Sequence, residues 1–458
     1  MLRHILNKGG PNINSTALFQ LLNLKIEDVK EIKLPVVTGN QIDVDIELHH
    51  KVTCCPHCSS FNIESKGRGT RHILDKPFTE KKTYVHEHFR KYRCLECGKT
   101  FEDSSVVALK GMKVSIRIVK MILEDLKSPN ETFDSIGKRY DISNTTVANI
   151  FDKCIVFHEK KLTRVICIDE IYVRPHSTPP YACIILDPIG KKLLAVRNGR
   201  EKNKLRNYFL ERKPAERALV EYVCIDMWEP YLVTAQAVFP NATVAIDSFH
   251  VMKHFMDAVD DIRCRLMRKY DEKSIQYYLL KSVRELLTLS RELKHEKQKN
   301  FKFKQMLSEY DLVQMACDSF HELNVAYNFY HAYQRFNAKA TVNTCNEHFD
   351  KVFEDVTEII AIPELKDLVL MVQHWKPYIL NSFIRIDEMR LSNGPIEGTN
   401  KTLKKIRKTI GKVDNFKRFA RRCYLVINKE INLSNSFKND IKRKRQPRGS
   451  YNTKKPEE

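Results

Sequence analysis

Two Cys-x-x-Cys pairs, Cys55-Pro56-His57-Cys58 and Cys94-Leu95-Glu96-Cys97, stand 35 residues apart in this chain of 458 residues. A tight turn aims two thiolates at one ion, and two such turns complete the tetrahedron zinc favours. Gly98 follows the second pair and can adopt the left-handed backbone such a turn needs. Between the pairs, Lys82 to Cys94 alternates as a strand does, with Tyr84, His86, His88 and Arg90 on one face. The spacing therefore predicts a β-hairpin that closes both turns on one structural Zn²⁺, held by Cys55, Cys58, Cys94 and Cys97. Cys54 leaves the ligand register open by one residue, and His57, His86 and His88 are alternative ligands. The chain has 13 cysteines, and those from Cys154 onward are scattered singly, which does not read as a disulfide scaffold.

Residues 113–160 are helical in pattern, broken at Ser128-Pro129-Asn130. Phe133, Ile136 and Tyr140 recur at the spacing of one buried helix face. Tyr140-Asp141-Ile142 forms a turn, and Ser143 is a good N-cap for a second helix that buries Val147 and Ile150 or Phe151. Its exposed start carries Asn144, Thr145, Thr146 and Asn149, short polar side chains suited to a major groove. A helix-turn-helix is expected, with Lys138 and Arg139 as further DNA contacts. An ordinary helical hairpin shares the spacing.

From Val165 the pattern changes to strands. Val165 to Val173 is an apolar run with Asp169 inside it, and Leu219 to Ile225 is another that closes on Asp226. With the strands at Tyr181–Leu186, Lys192–Val196 and Ala242–Ile246, and helices at Lys202–Glu211 and Pro230–Phe239, the order is βββαβαβ. Carboxylates in or at the ends of buried strands are costly unless something compensates them, and a divalent metal is the usual compensation. A solvated strand end is the alternative for each acid alone. Glu170 adjoins Asp169, but neighbours on a strand face opposite ways, so only one of them is expected in the site.

Residues 241–362 contain neither Gly nor Pro and show apolar residues at helical spacing, as at Ile275, Leu279, Val283 and Leu286. A long all-helical region is expected there. Ser392-Asn393-Gly394-Pro395 then signals a helix start. Glu397 falls in the first turn, where the helix dipole favours a carboxylate. It shares one face with Asn400, Lys401, Lys404 and Lys408. The formal charge is +21, which suits a polyanionic partner. No apolar run approaches a membrane span, and Met1 to Gly10 lacks an apolar signal core. A reducing cytoplasm is the expected location.

In order, these motifs are Cys-x-x-Cys…Cys-x-x-Cys-Gly, the helix-turn-helix, Ile168-Asp169-Glu170, Asp226-Met227-Trp228-Glu229-Pro230-Tyr231, Asp247-Ser248-Phe249-His250 and Ser392-Asn393-Gly394-Pro395-Ile396-Glu397-Gly398-Thr399-Asn400. The series resembles bacterial insertion-sequence transposases of the ISL-three family, whose DDE catalytic domain has a ribonuclease-H-like fold. The resemblance runs from about residue 50 to 430. It implies that Asp169, Asp226 and Glu397 are catalytic carboxylates holding two Mg²⁺ or Mn²⁺ ions, with Asp247 the rival for the second acid. It implies an α/β plus α architecture, in which a mixed-sheet domain is interrupted by an all-helical insertion. The expected domains are an N-terminal segment (1–50), a zinc-knuckle module (51–105), the helix-turn-helix (106–160) and the first part of the catalytic core (161–260). The insertion (261–385), the C-terminal helices carrying Glu397 (386–435) and a flexible basic tail (436–458) follow.

By the same resemblance, the chain binds the terminal inverted repeats of an insertion sequence and catalyses DNA strand cleavage and transfer near the nucleoid. Asn400, Lys401, Lys404, Lys405 and Lys408, with Arg407, Lys412, Lys417, Arg418, Arg421 and Arg422, would grip the phosphate backbone of double-stranded DNA. A homodimer or larger assembly would bring two ends together. A non-catalytic zinc and helix-turn-helix regulator, or a structure-specific nuclease on the same fold, are the alternatives.

Overall fold

The computed structural model describes residues 13–78, 80–156, 159–173, 179–411 and 413–431. Lys412 and the expected tail at 436–458 lie outside the described residues. The chain divides into two compact units, Met1–His158 with Lys429–Glu458, and Glu159–Asn428.

The first unit opens with α1 (Ile13–Leu22), β1 (Val29–Ile32), β2 (Val36–Thr38) and β3 (Gln41–Leu48). It continues through β4 (Ile63–Phe78), β5 (Lys81–Cys94) and β6 (Thr100–Glu102) to the helices α2 (Ile116–Asp125), α3 (Phe133–Tyr140) and α4 (Asn144–Cys154). β4 and β5 form the expected hairpin, and its register sets Ile63 against Cys94. β3 pairs in parallel with β5 and carries β1 and β2, so strands from the first 50 residues complete one six-stranded sheet with the zinc-module hairpin. Strict alternation buries Ile42, Val44, Ile46 and Leu48 against Ile73, Val85 and Phe89. Glu87 is fully buried on this inner face, where Arg71, Ser105 and the Val106 amide satisfy its oxygens.

Ser115, Thr132 and Ser143 each cap a helix through the side-chain oxygen, and Thr132 makes a reciprocal capping box with Ser135. The α3–α4 turn passes through Asp141 at φ +53°, and a Cβ on Gly137 would lie 2.7 Å from the Ile142 carbonyl oxygen, so the turn packs directly on α3. Ile136, Val147, Ile150 and Phe151 are buried as expected, while Phe133 and Tyr140 are only half-buried.

The second unit contains β7 (Val165–Tyr172), β8 (Tyr181–Asp187), β9 (Lys192–Asn198), α5 (Lys202–Leu210), α6 (Pro214–Ala218), β10 (Tyr222–Ile225), α7 (Glu229–Val238) and β11 (Thr243–Ile246). The strands form a five-stranded mixed sheet in the order β11-β10-β7-β8-β9. β7, β8 and β9 are antiparallel neighbours, while β10 and β11 run parallel to β7. The strands follow in the expected succession, but the connection before β10 holds two helices, α5 and the short α6, so the order is βββααβαβ.

After β11 come α8 (Ser248–Met267), α9 (Ile275–Ser282), β12 (Gln298–Asn300), β13 (Gln305–Leu307), α10 (Glu309–Ser319), α11 (His321–Lys339), α12 (Cys345–Val352), α13 (Thr357–Ile360) and α14 (Pro363–Asn381). Aromatic contacts knit these helices, with the Phe255 and Tyr333 rings stacked at 4.2 Å and those of Phe349 and Phe353 at 4.5 Å. The expected all-helical run is interrupted, because β12 and β13 form an antiparallel hairpin. The segment from Lys294 to Lys304 interleaves lysines with polar residues and, near its end, Phe301 and Phe303, and offers no apolar stripe for a helix to bury. The chain then returns through β14 (Arg385–Ile386) and β15 (Met389–Arg390) to α15 (Gly394–Ile410) and α16 (Phe416–Asn428). Asn428 clamps α16 to β9 by exchanging hydrogen bonds with both backbone groups of Leu193. Among the described residues, no helix is long and apolar enough to cross a membrane.

Candidate active site and zinc cluster

Three aspartates lie level across three adjacent parallel strands. β7 pairs with β10 so that Cys167 faces Cys224, and Asp169 and Asp226 each follow two residues later. β10 pairs with β11 so that Ile225 faces Ile246, and Asp226 and Asp247 are the next residues of each. Asp226 and Asp247 therefore stand at the carboxyl ends of their strands, where open α/β sheets place ligands. Oxygens of Asp169, Glu170 and Asp226 lie within 4.8 Å of one another, as do ligand atoms of Asp226, Asp247 and His250.

Two asparagines hold these acids. The Asn393 backbone amide donates to Asp247 Oδ1 at 2.9 Å, and its side-chain Nδ2 donates to Asp226 Oδ1 at 3.0 Å. Asn400, buried on α15, donates to Asp169 Oδ2. His250 Nδ1 stands 3.0 Å from Asp226 and 3.1 Å from Asp247.

The electrostatics show crowded negative charge. Burial raises the Asp169 carboxyl above its ordinary range, and the Glu170 charge adds to this. Burial and the charge of Asp169 push Asp226 up to about 8. Burial pulls the His250 imidazole down, but its Asp247 hydrogen bond and the surrounding carboxylates outweigh that and lift it to about 9. Asn393 Oδ1 and Asn400 Oδ1 are buried with no hydrogen-bond partner. Clustered carboxylate oxygens, with unpartnered amide oxygens of Asn393 and Asn400 close by, are a donor set that suits Mg²⁺ or Mn²⁺.

In the first unit, Cys55, Cys58, Cys94 and Cys97 have all four sulfurs within 4.8 Å of one another. Sγ–Sγ distances are 3.7 Å for Cys55–Cys97 and 3.5 Å for Cys58–Cys94. Tetrahedral zinc with bonds of about 2.3 Å would set its sulfurs about 3.8 Å apart. The two turns are copies of each other. Ser59 and Gly98 donate to the carbonyls of Cys55 and Cys94, and both adopt left-handed backbone, at φ +63° and +68°. Cys55, rather than Cys54, joins the cluster. His86 and His88 are engaged by Asp43 and Asp45 instead.

A family model described as "Transposase", of the ISL3 group, matches residues 166–423, more than half of the 458-residue chain. This chain belongs to that family. A second model, described as the zinc-finger of transposase IS204/IS1001/IS1096/IS1165, matches residues 51–97 of the ISL3-family chain. The transposase for insertion sequence element IS1001 of Bordetella parapertussis is 23% identical over 270 residues, covering 58% of this chain and 65% of that relative. The chain thus spans just under two thirds of the curated relative it matches.

Not every residue expected in the ISL3-family site falls where the sequence suggested. Glu397 is half-buried on α15, one turn before Asn400, and is outside the clusters formed within 4.8 Å among the described residues. Glu170 does reach the acids, because strand alternation fixes the Cβ direction but not the end of a long side chain. Its other contacts are Arg200 and the Tyr231 hydroxyl, the latter at 2.7 Å. Asn400 faces the acids rather than the exposed ridge. Lys401, Lys404, Lys405 and Lys408 are exposed, whereas Arg422 is buried and Arg407 is half-buried, donating to the Val173 carbonyl. On α4, Asn144, Thr145 and Asn149 are exposed and Thr146 half-buried. Lys138 is exposed and pairs with Asp134, while the Arg139 guanidinium is engaged by Asp125 and Glu131. Asn393, His250 and Arg200 carry site contacts that the sequence reading left without a role. The first two lie inside quoted motifs, while Arg200 had no signal.

Proposed function

We propose that this chain is a transposase that binds the terminal inverted repeats of an insertion sequence and carries out divalent-cation-dependent DNA strand cleavage and strand transfer on a ribonuclease-H-like core. The observation that carries the reading is the line of Asp169, Asp226 and Asp247 across β7, β10 and β11, where burial and neighbouring carboxylate charge raise both Asp169 and Asp226. Asp169 and Asp226 would hold the cations, and Glu397, on the helix face that meets Asp169, would supply the third carboxylate. Bound Mg²⁺ or Mn²⁺ supplies activation of a water or 3′-hydroxyl and stabilisation of the leaving oxygen at phosphorus. Asn400 and Asn393 keep the aspartate oxygens oriented, as outer partners of metal ligands do. The clustering of Asp226 with Asp169, and of Asp247 with His250 and Asp226, supports Asp226 as the second acid.

For recognition, the four-cysteine cluster would hold a structural Zn²⁺, and α3 with α4 would act as a helix-turn-helix. Asn144, Thr145, Thr146 and Asn149 would face bases, and Lys138 the backbone. Lys401, Lys404, Lys405 and Lys408 would position DNA near the acids. Joining two ends calls for a dimer or a larger assembly.

The test is cleavage and joining of labelled terminal-repeat DNA with Mg²⁺, comparing wild type with Asp226→Asn. Joined products that vanish in the variant while binding persists support the proposal. Cleavage without joining would indicate a nuclease, and binding without cleavage a regulator. Full activity in Asp226→Asn would move the second acid to Asp247.

A further inference from the structure

The hairpin that breaks the helical insertion is built unlike its surroundings. Its strands, β12 and β13, are joined by Phe301, Lys302, Phe303 and Lys304. Every residue from Lys294 to Lys299 is exposed, and four lysines, at 297, 299, 302 and 304, flank or form the tip. At the tip Phe301 is 80% exposed, whereas Phe303 turns inward and packs edge-on against Tyr278 at 5.5 Å. One aromatic therefore anchors the loop and the other is held out in solvent. The Lys299 ammonium stands 5.4 Å from the centre of the Phe301 ring.

The hairpin is also held in place. Asn300 accepts hydrogen bonds from the Lys302 and Phe303 amides, which fixes the tip. At its base Arg291 makes a two-pronged contact with Glu309 at 2.8 Å for each bond, and Glu309 also accepts from the Lys294 amide. A lone exposed apolar ring is ordinary on a protein surface, but this one stands on a pinned loop between lysines, with the Lys299 ammonium beside it.

We infer that this hairpin is a nucleic-acid contact whose lysines grip phosphates while Phe301 stacks on an unpaired base. The chemistry is that of single-strand binding surfaces, where an aromatic face accepts any base and cations beside it take the backbone. An unpaired nucleotide is the occupant that satisfies both halves of the feature. A fully paired duplex would leave the ring without a partner, and an apolar protein surface would leave the lysines uncompensated. This inference rests on the proposal that the chain acts on DNA.

The experiment uses the full-length protein and two probes, a duplex oligonucleotide and the same duplex with one unpaired 2-aminopurine. Wild type is expected to bind the second probe more tightly and to quench its fluorescence by stacking. Phe301→Ala should weaken that binding about tenfold and abolish the quench, with duplex affinity unchanged. Phe301→Tyr should restore both. The combined variant Lys299→Ala, Lys302→Ala and Lys304→Ala should lower affinity for both probes and reduce the salt dependence by about two to three phosphate contacts. Wild-type behaviour in Phe301→Ala, with duplex binding intact, would overturn the hairpin assignment alone. Failure of the wild type to bind either probe would overturn both this inference and the DNA reading on which it rests.

Discussion

Asn400 donates its side-chain amide to Asp169 across 231 positions of sequence. The bond ties α15 to β7 and orients one carboxylate oxygen of Asp169. Asn400→Ala is expected to reduce DNA cleavage roughly ten- to a hundredfold, the usual cost of losing the outer partner of a metal ligand. DNA affinity, measured by fluorescence anisotropy, should stay at the wild-type level. A loss of affinity with cleavage per bound complex unchanged would return Asn400 to the DNA-facing ridge.

The acid cluster makes stability depend on pH when no divalent cation is present. The Asp226 carboxyl is held at about 8 against an ordinary 3.8, so the folded state binds its proton more tightly than the unfolded chain. The stability this gives is complete below about pH 4 and is lost as pH rises through about 8. Thermal melts in chelator should therefore show a falling Tm from pH 5 to pH 8, beyond that of Asp226→Asn. Added Mn²⁺ should raise the wild-type Tm more at pH 8 than at pH 6, since protons and cations compete for the same oxygens. Identical shifts at both pH values would count against a cation site at Asp226.

Cys54 and Cys55 are adjacent, but only Cys55 lies in the four-sulfur cluster. Cys54→Ser is expected to retain one zinc per cluster, and Cys55→Ser to lose it and loosen the β4–β5 hairpin that the cluster closes. Metal release monitored with a chromophoric chelator distinguishes the two. Equal zinc content in both variants would mean that Cys54 can replace its neighbour.

Glu87 is fully buried and is balanced by Arg71, whose guanidinium reaches it at 2.7 Å. Arg71→Leu strands that charge inside the sheet and should cost about 3 to 5 kcal/mol. Denaturant unfolding should show the loss, and Glu87→Gln in the same background should recover part of it. A change below about 1 kcal/mol would show that Ser105 and the Val106 amide suffice.

On the paired helices, Arg139 and Asn149 are expected to separate stability from recognition. Arg139 is engaged by Asp125 and Glu131 on a half-open surface, so Arg139→Ala should cost at most about 1 kcal/mol of stability. Asn149 is exposed on α4, so Asn149→Ala should leave unfolding unchanged while weakening preference for terminal-repeat DNA over unrelated DNA. Unaltered sequence preference would remove Asn149 from the reading face.

What the sequence determined by itself was everything carried by short-range pattern. The paired Cys-x-x-Cys turns, the serine cap at Ser143, the apolar strands bearing Asp169 and Asp226, and the helix start before Glu397 each rest on local geometry that a few neighbouring residues impose. Ile42, Val44, Ile46 and Leu48 also alternate in plain view, yet their strand finds its partner in β5, and only non-local pairing decides that. Tertiary structure alone decided that Asp247 stands level with Asp226, because parallel register sets residues from separate strands at one level. It decided that Asn400 turns inward and that Glu170 reaches the acids, because burial and side-chain length act through neighbours remote in sequence. It decided, too, that a lysine-rich stretch within the helical insertion folds as a hairpin, pinned by Glu309 and Phe303, with Phe301 left in solvent.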